Sequence, residues 1–314
     1  MGDSMSSMPK ENSCVEPILE NIDADCEPVV SGEFPEQDPL DVRHISSDAW
    51  KSICGSEIGT AHVKDASVCQ DFSCAQLVEL GVNNSALILT CADGAGSARH
   101  SHLGARISCI EMQKALRSGL IYLGSVESIE QENVVSWFES LQAHLVALAK
   151  RIGANYHDLA CTLLVAIVGE NCSLFAQVGD GAIIVNSGES KNEDDLDIVF
   201  WPDNGDYLNI TTFVTSDHLH KSMSVKHINR RIDRVAMITD GLELLALNFR
   251  DRTAHAPFFI PMFRQLQESP NPALLVEPLK SFLSSHAINA KTDDDKTLML
   301  AIRSHGDAVD KDGD

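Results

Sequence analysis

Six short apolar runs and two long stretches of helical spacing set tight limits on what this chain can fold into. The runs are SALILTCA (85–92), CTLLVAIV (161–168), SLFAQVG (173–179), AIIVN (182–186), RVAMITD (234–240) and TLMLAI (297–302), all of strand-like length and content. Between the first two, Leu103 to Leu120 places Ile107, Ile110, Met112 and Leu116 about a turn apart. Val134 to Ile152 does the same with Leu141, Leu145, Leu148 and Ile152. A third helix is expected over Pro272 to Ser285, where Pro272 suits the first turn. Short polar joins at EN (170–171) and GDG (179–181) read as hairpins and hence as antiparallel pairing. Strands in runs followed by helices in runs indicate an α+β layered fold, not a doubly wound parallel sheet. The polar stretch SGESKNEDDLD (187–197) reads as an exposed loop.

An aspartate stands where four of these segments meet a turn: Asp71 in CQDF, Asp93 in ILTCADGAGS, Asp240 in VAMITDGLE, and Asp293 to Asp295 in TDDDKTLMLAI. Each has an ordinary structural explanation: a tight turn for DGAGS, a helix N-cap for TDG, and a solvated acidic turn for DDDKT. Their weight lies in occurring together. Carboxylates gathered by a fold repel one another unless a cation sits between them, and magnesium and manganese prefer oxygen ligands and keep several waters. Gly94 and Gly96 clear the space beside Asp93. A helix starting near Ser97 to His102 would aim its N-terminal amides at the same place, which favours anions.

Composition narrows the function classes. The formal net charge is −22 over 314 residues, so the basic footprint of a nucleic-acid binder is absent. No apolar run reaches the ~18 residues of a membrane span, and MGDSMSSMPKENS carries no signal-peptide core. A cytoplasmic location is expected. Nine scattered cysteines without a CxxC pair fit buried thiols in a reducing compartment better than zinc or disulfides. Residues 1–45 read as an acidic, disordered tail, with eleven acidic and two basic side chains up to His44. A single catalytic domain is expected over 46–305, with a second acidic tail at 306–314. DLDIV (195–199) fits an aspartyl-nucleophile motif, but its polar flank is wrong for the end of a buried strand. No G-x-S-x-G elbow occurs.

With these residues in view, the chain resembles the protein phosphatase 2C family of metal-dependent serine/threonine phosphatases over roughly Trp50 to Arg303. It is most similar to the divergent bacterial branch whose first motif is G-x-x-H followed by CQD, here Gly59, His62 and 69–71. DGAG (93–96) matches the family's DG-x-G, and Ala160, Cys161 and Thr162 match a small-residue pair before a strand. GDG (179–181) stands where the family has Gly-Asp-Ser, TDG (239–241) where it has Ser-Asp-Gly, and DDKT (294–297) where it has Asp-Asn-x-Thr. The resemblance implies a four-layer αββα sandwich of two antiparallel sheets flanked by helices, with two Mg or Mn ions at one end. Asp93 would bridge the ions, the Gly94 carbonyl would complete one site, Asp240 and Asp294 would hold the first ion, and Asp71 would act through water. Asp158 corresponds to an acidic residue that some relatives use for a third, weaker ion. The implied reaction is hydrolysis of phosphoserine or phosphothreonine on a protein substrate, with the kinase of that substrate as a further partner, by a water activated between the metals.

Two departures stand out. Residues 66–70 contain no arginine to grip phosphate, so His62 and Lys64 become the candidate phosphate donors, and Gln70 stands where many relatives have Glu. Ala95 stands where some relatives carry a histidine acting as general acid. These departures keep a second reading open: a weak or inactive phosphatase-like module that binds a phosphoprotein or another partner. Retention of Asp71, Asp93, Asp240 and Asp294 argues against it, because four uncompensated carboxylates at one site would cost stability.

Overall fold

The computed structural model of the protein describes residues 42–82, 84–186, 194–202 and 211–304. The expected acidic tails, most of the polar loop and the first part of YLNITTFVTSD (207–217) lie outside the described residues. Val42 and Arg43 already belong to the body, since their carbonyls accept the Ala75 and Cys54 N–H groups.

In chain order the strands are β1 (His44–Ser46), β2 (Trp50–Glu57), β3 (Phe72–Gly81), β4 (Asn84–Ala92), β5 (Leu163–Val168), β6 (Ser173–Val178), β7 (Ala182–Asn186), β8 (Leu196–Ile198), β9 (Ser224–Ile228), β10 (Arg234–Ile238), β11 (Leu247–Asn248), β12 (Thr253–Ala254) and β13 (Lys296–Arg303). The helices are α1 (Thr60–Lys64), α2 (Ser101–Leu123), α3 (Gln131–Ile152), α4 (Leu219–Ser222), α5 (Glu243–Ala246), α6 (Ala256–Glu268), α7 (Val276–Leu283) and α8 (His286–Asn289). One sheet runs β1-β2-β13-β10-β7-β8, the other β3-β4-β5-β6-β9, and every pairing is antiparallel. β11 and β12 form a separate pair.

The two sheets stack, and each is covered on its outer face by helices. The period of two along a strand decides which face a residue joins. Leu164, Ala166 and Val168 of β5 enter the core between the sheets with Leu87, Leu89, Met237 and Met299. Leu163, Val165 and Ile167 face the other way, into a core with Met112, Leu116, Leu141 and Leu145 of α2 and α3. Burial on both faces is why LLVAIV is apolar throughout, without alternation. A third core joins Ala236, Ile238, Leu298 and Leu300 to Phe259, Phe263 and Leu279 of α6 and α7. The result is the αββα sandwich that the resemblance implies. The two long helices also match expectation, and the Asn133 side chain accepts the Glu130 N–H at 2.8 Å to close the first turn of α3.

Two expectations need correction. GDG (179–181) is not a hairpin: β6 and β7 lie in different sheets, and the segment is the corner by which the chain crosses between them. Gly179 has φ 99°, in the region where glycine is favoured. The expected helix over Pro272 to Ser285 is split into a 3₁₀ turn at Pro272–Leu275 followed by α7. Among the described residues no helix is long and apolar enough to cross a membrane.

Candidate metal centre

Antiparallel register gathers the aspartates. Phe72 at the start of β3 pairs with Ala92 at the end of β4, so Asp71 and Asp93, one residue beyond each, leave the sheet side by side. Ile238 near the end of β10 pairs with Leu298 of β13, which places Asp240 beside the Asp294–Asp295 turn. Ala182 pairs with the same Ile238, which brings the corner residue Asp180 to this end. Two threonines join the sheets here: Thr239 Oγ1 and Thr297 Oγ1 both donate to Asp71 Oδ2, at 2.8 and 2.7 Å.

The loop after Asp93 is pinned by the Ala160–Thr162 segment. Thr162 Oγ1 accepts the Asp93 N–H at 3.0 Å, the Thr162 N–H returns to the Asp93 carbonyl at 2.8 Å, and Ala95 N–H donates to the Ala160 carbonyl. Gly94 forms an isolated bridge with Cys161. A β-carbon at Gly94 would stand 2.8 Å from Ser101 Cβ and 2.9 Å from the Gln70 carbonyl, so only glycine fits. α2 starts at Ser101, in the range the sequence suggested.

Mutual repulsion is visible in the protonation equilibria. Burial raises the Asp71 pKa to about 6, although hydrogen bonds from Asp93, Thr297 and Thr239 oppose the rise. Asp93 is pushed well above the carboxylate range by burial and by the charges of Asp71, Asp240 and Asp294. Asp240 is raised to about 7 by burial, then by Asp180, Asp294 and Asp71. Glu243, three residues on, reaches about 8 through burial and the charges of Asp240 and Asp180. Asp71, Asp93, Asp240 and Asp294 therefore influence one another electrostatically, and Asp180 and Glu243 join them.

The remaining candidates fall into distinct places. His62 lies at the end of α1 with its side chain 18% exposed, and its Nδ1 is 2.9 Å from Asp295 Oδ1. Burial works to lower the His62 pKa, but Asp295 contact and the charges of Asp295, Asp294 and Asp71 outweigh it and raise the value. Lys64, two residues on, is exposed. Asp158 sits in a 3₁₀ turn, where its Oδ2 accepts the Asn155 N–H at 3.0 Å, and it lines a cleft with Ser97, Ala98, Thr215 and Asp217 beside the DGAG loop. Sequence reasoning did not single out Asp295, Asp180 or Glu243. In the DDD run, Asp294 is exposed while Asp295 is 1% exposed; three identical residues in a row hide that difference. Lys296 is fully buried, and its Nζ donates to the Ile58 and Asp294 carbonyls at 3.2 and 3.0 Å.

The donor set fits hard divalent cations. It consists of carboxylates, and Asp71 Oδ1 is buried without a hydrogen-bond partner in the protein, a cost that a cation or its water would relieve. Among the described residues no group of three or more His, Cys, Asp or Glu already converges as a ready-made cage.

Comparison with known proteins places the chain in a family and the fold among known folds. A family model described as protein phosphatase 2C matches residues 58–284. The chain is 34% identical over 260 residues to serine/threonine-protein phosphatase 3 of Escherichia coli (strain K12), covering 81% of this chain and 98% of that protein. Serine/threonine phosphatase Stp1 from Staphylococcus aureus shares the fold at TM-score 0.50 and 16% identity, over 80% of this chain and 94% of its own. A bacterial serine phosphatase does so at TM-score 0.50 and 17% identity, over 82% and 99%.

Proposed function

Because the chain belongs to the protein phosphatase 2C family, we propose that it hydrolyses phosphoserine and phosphothreonine on proteins with two Mg or Mn ions held at the strand ends. The observation that supports this most is the meeting of Asp71, Asp93 and Asp240 at the strand ends, where burial and neighbouring charges, Asp294 among them, make these three carboxylates resist ionisation. In this reading Asp93 and the Gly94 carbonyl, with Asp240 and Asp294, would hold the ions, and Asp158 would be a weaker additional ligand beside the loop. When bound, the ions acidify a water for attack on phosphorus and neutralise phosphate charge.

The chain's own residues do the rest. Thr239 and Thr297 lock Asp71 by its Oδ2, which leaves Oδ1 to orient a water. His62, held beside the carboxylates, donates to a phosphate oxygen, and Lys64 adds positive charge at the rim. The substrate is a phosphoprotein, and the kinase that modifies it is the implied functional partner. Seven free thiols among the described residues suit a reducing compartment such as the cytoplasm.

Mn-dependent release of p-nitrophenol from p-nitrophenyl phosphate, and of phosphate from a phosphothreonine peptide, tests the reading. Turnover that Asp93→Asn lowers by ~100-fold or more is expected. A wild-type protein that binds Mn without turning over either substrate would instead support the partner-binding module, for which the absence of arginine in residues 66–70 is the favouring feature.

A further inference from the structure

Asp295 holds three partners at this end of the sandwich, yet the metal scheme above gives it no task. It is 1% exposed. Its Oδ1 accepts the Gly59 N–H at 2.6 Å and lies 2.9 Å from His62 Nδ1; its Oδ2 accepts the Gln70 N–H at 2.6 Å. One carboxylate therefore gathers the residue before α1, the imidazole on α1 and the residue just before Asp71. These three belong to a connection, residues 58–71, that has no strand of its own. A β-carbon at Gly59 would fall 2.4 Å from the Asp293 carbonyl oxygen, so the connection lies directly on the 293–295 turn.

We propose that Asp295 is a positioning residue that turns His62 toward the phosphate, so that the His62–Asp295 pair grips the substrate in a chain whose residues 66–70 hold no arginine. The inference rests on the hydrolase reading above. With Nδ1 lying 2.9 Å from the buried Asp295 Oδ1 as an ion-pair contact, Nε2 is the ring atom left to meet a phosphate oxygen, and the carboxylate restrains the ring orientation. An imidazole beside a carboxylate can carry the positive charge that a phosphate dianion needs. The neighbouring Asp294 remains free for metal because the two side chains are separated: Asp294 Oδ1 accepts the Asp295 N–H at 2.8 Å and stays exposed, while the Asp295 carboxylate is turned into the body.

The test is a double-mutant cycle with His62→Ala and Asp295→Asn, made in the full chain. Asparagine keeps the volume and one acceptor, so either N–H bond can survive. Inorganic phosphate affinity is read from its thermal shift in the presence of Mn, and Mn affinity from the Mn-induced thermal shift alone. The Michaelis constant for p-nitrophenyl phosphate is the third readout. Each single variant is expected to weaken phosphate affinity and raise the Michaelis constant by roughly 10-fold, with Mn affinity within about 3-fold of wild type. The double variant should lose no more than either single one, because the two residues act as a unit. If Asp295→Asn leaves phosphate affinity unchanged, or if its effect persists in full without His62, the positioning role is wrong. Should Asp295→Asn unfold the protein, His62→Gln decides: unaltered phosphate affinity there would overturn the proposal, and a 10-fold loss supports it. Phosphate binding needs no turnover, so an inactive wild type would count against the hydrolase reading while leaving this measurement intact.

Discussion

Removing one negative charge from the cluster should stabilise the cation-free protein while destroying its function. Asp240→Asn is the sharpest case. The folded protein raises this carboxyl from 3.8 to about 7, and at ~1.4 kcal/mol per unit the ionised form costs on the order of 4 kcal/mol above pH 7. Asp71, Asp93 and Asp180 share that repulsion and relax with it, so about 2–4 kcal/mol should be recovered. Asparagine is isosteric, and its side-chain oxygen can still accept the Gly241 backbone hydrogen bond. At roughly 2–4 °C per kcal/mol for a domain of this size, the Tm in EDTA at pH 8 should rise by roughly 5–15 °C over wild type. Differential scanning fluorimetry, first in EDTA and then with Mn titrated in, measures both halves of the effect. The variant should melt higher than wild type without metal, and lose most of the Mn-induced rise and the phosphatase activity. A variant that melts lower than wild type in EDTA would refute the reasoning, since Asp240 would then be a structural residue and not a strained ligand.

The same repulsion gives the cation-free protein a characteristic pH dependence. Asp71, Asp93, Asp240 and Glu243 bind protons more tightly folded than unfolded, so stability in EDTA should fall steadily as pH rises from about 4 through about 8; saturating Mn should flatten or reverse that slope in chemical denaturation curves. Lys296→Met should cost about 1–3 kcal/mol, because it strips the Nζ donor from the Ile58 and Asp294 carbonyls in two part-buried hydrogen bonds; a urea midpoint equal to wild type would contradict this. Gly104→Ala should destabilise by about 3 kcal/mol, since the new β-carbon would stand 2.0 Å from the Leu159 carbonyl and push α2 off the 3₁₀ turn carrying Asp158; an unaltered Tm would show that the two elements yield freely.

How much of this was readable in the chain varied with burial. Strands buried on both faces, such as β5 and β13, advertise themselves as unbroken apolar runs, and α2 and α3 by their spacing. β2 was harder: Gly55 is buried because α7 packs closely on it, with Leu279 and Lys280 within 3.4 Å of the place a Gly55 β-carbon would take. β9 is polar and half-exposed, and α6 carries Pro261 inside it, so neither had a legible boundary. GDG looked like a hairpin because a local turn signal says nothing about which sheet receives the next strand. The positions of the four aspartates at strand ends were legible because each sits beside glycine or a polar turn, Asp93 and Asp240 after an apolar run and Asp71 and Asp294 before one. Asp295 was not, since only tertiary contacts distinguish it from its neighbours Asp293 and Asp294.

The account turns on whether divalent cations bind among these strand ends. Crystals soaked in millimolar Mn and measured at the manganese absorption edge test it directly. Two anomalous peaks beside Asp93, the first within reach of Asp240 and Asp294, are the predicted result. An empty cluster at full soak, or manganese bound only elsewhere on the acidic surface, would contradict it.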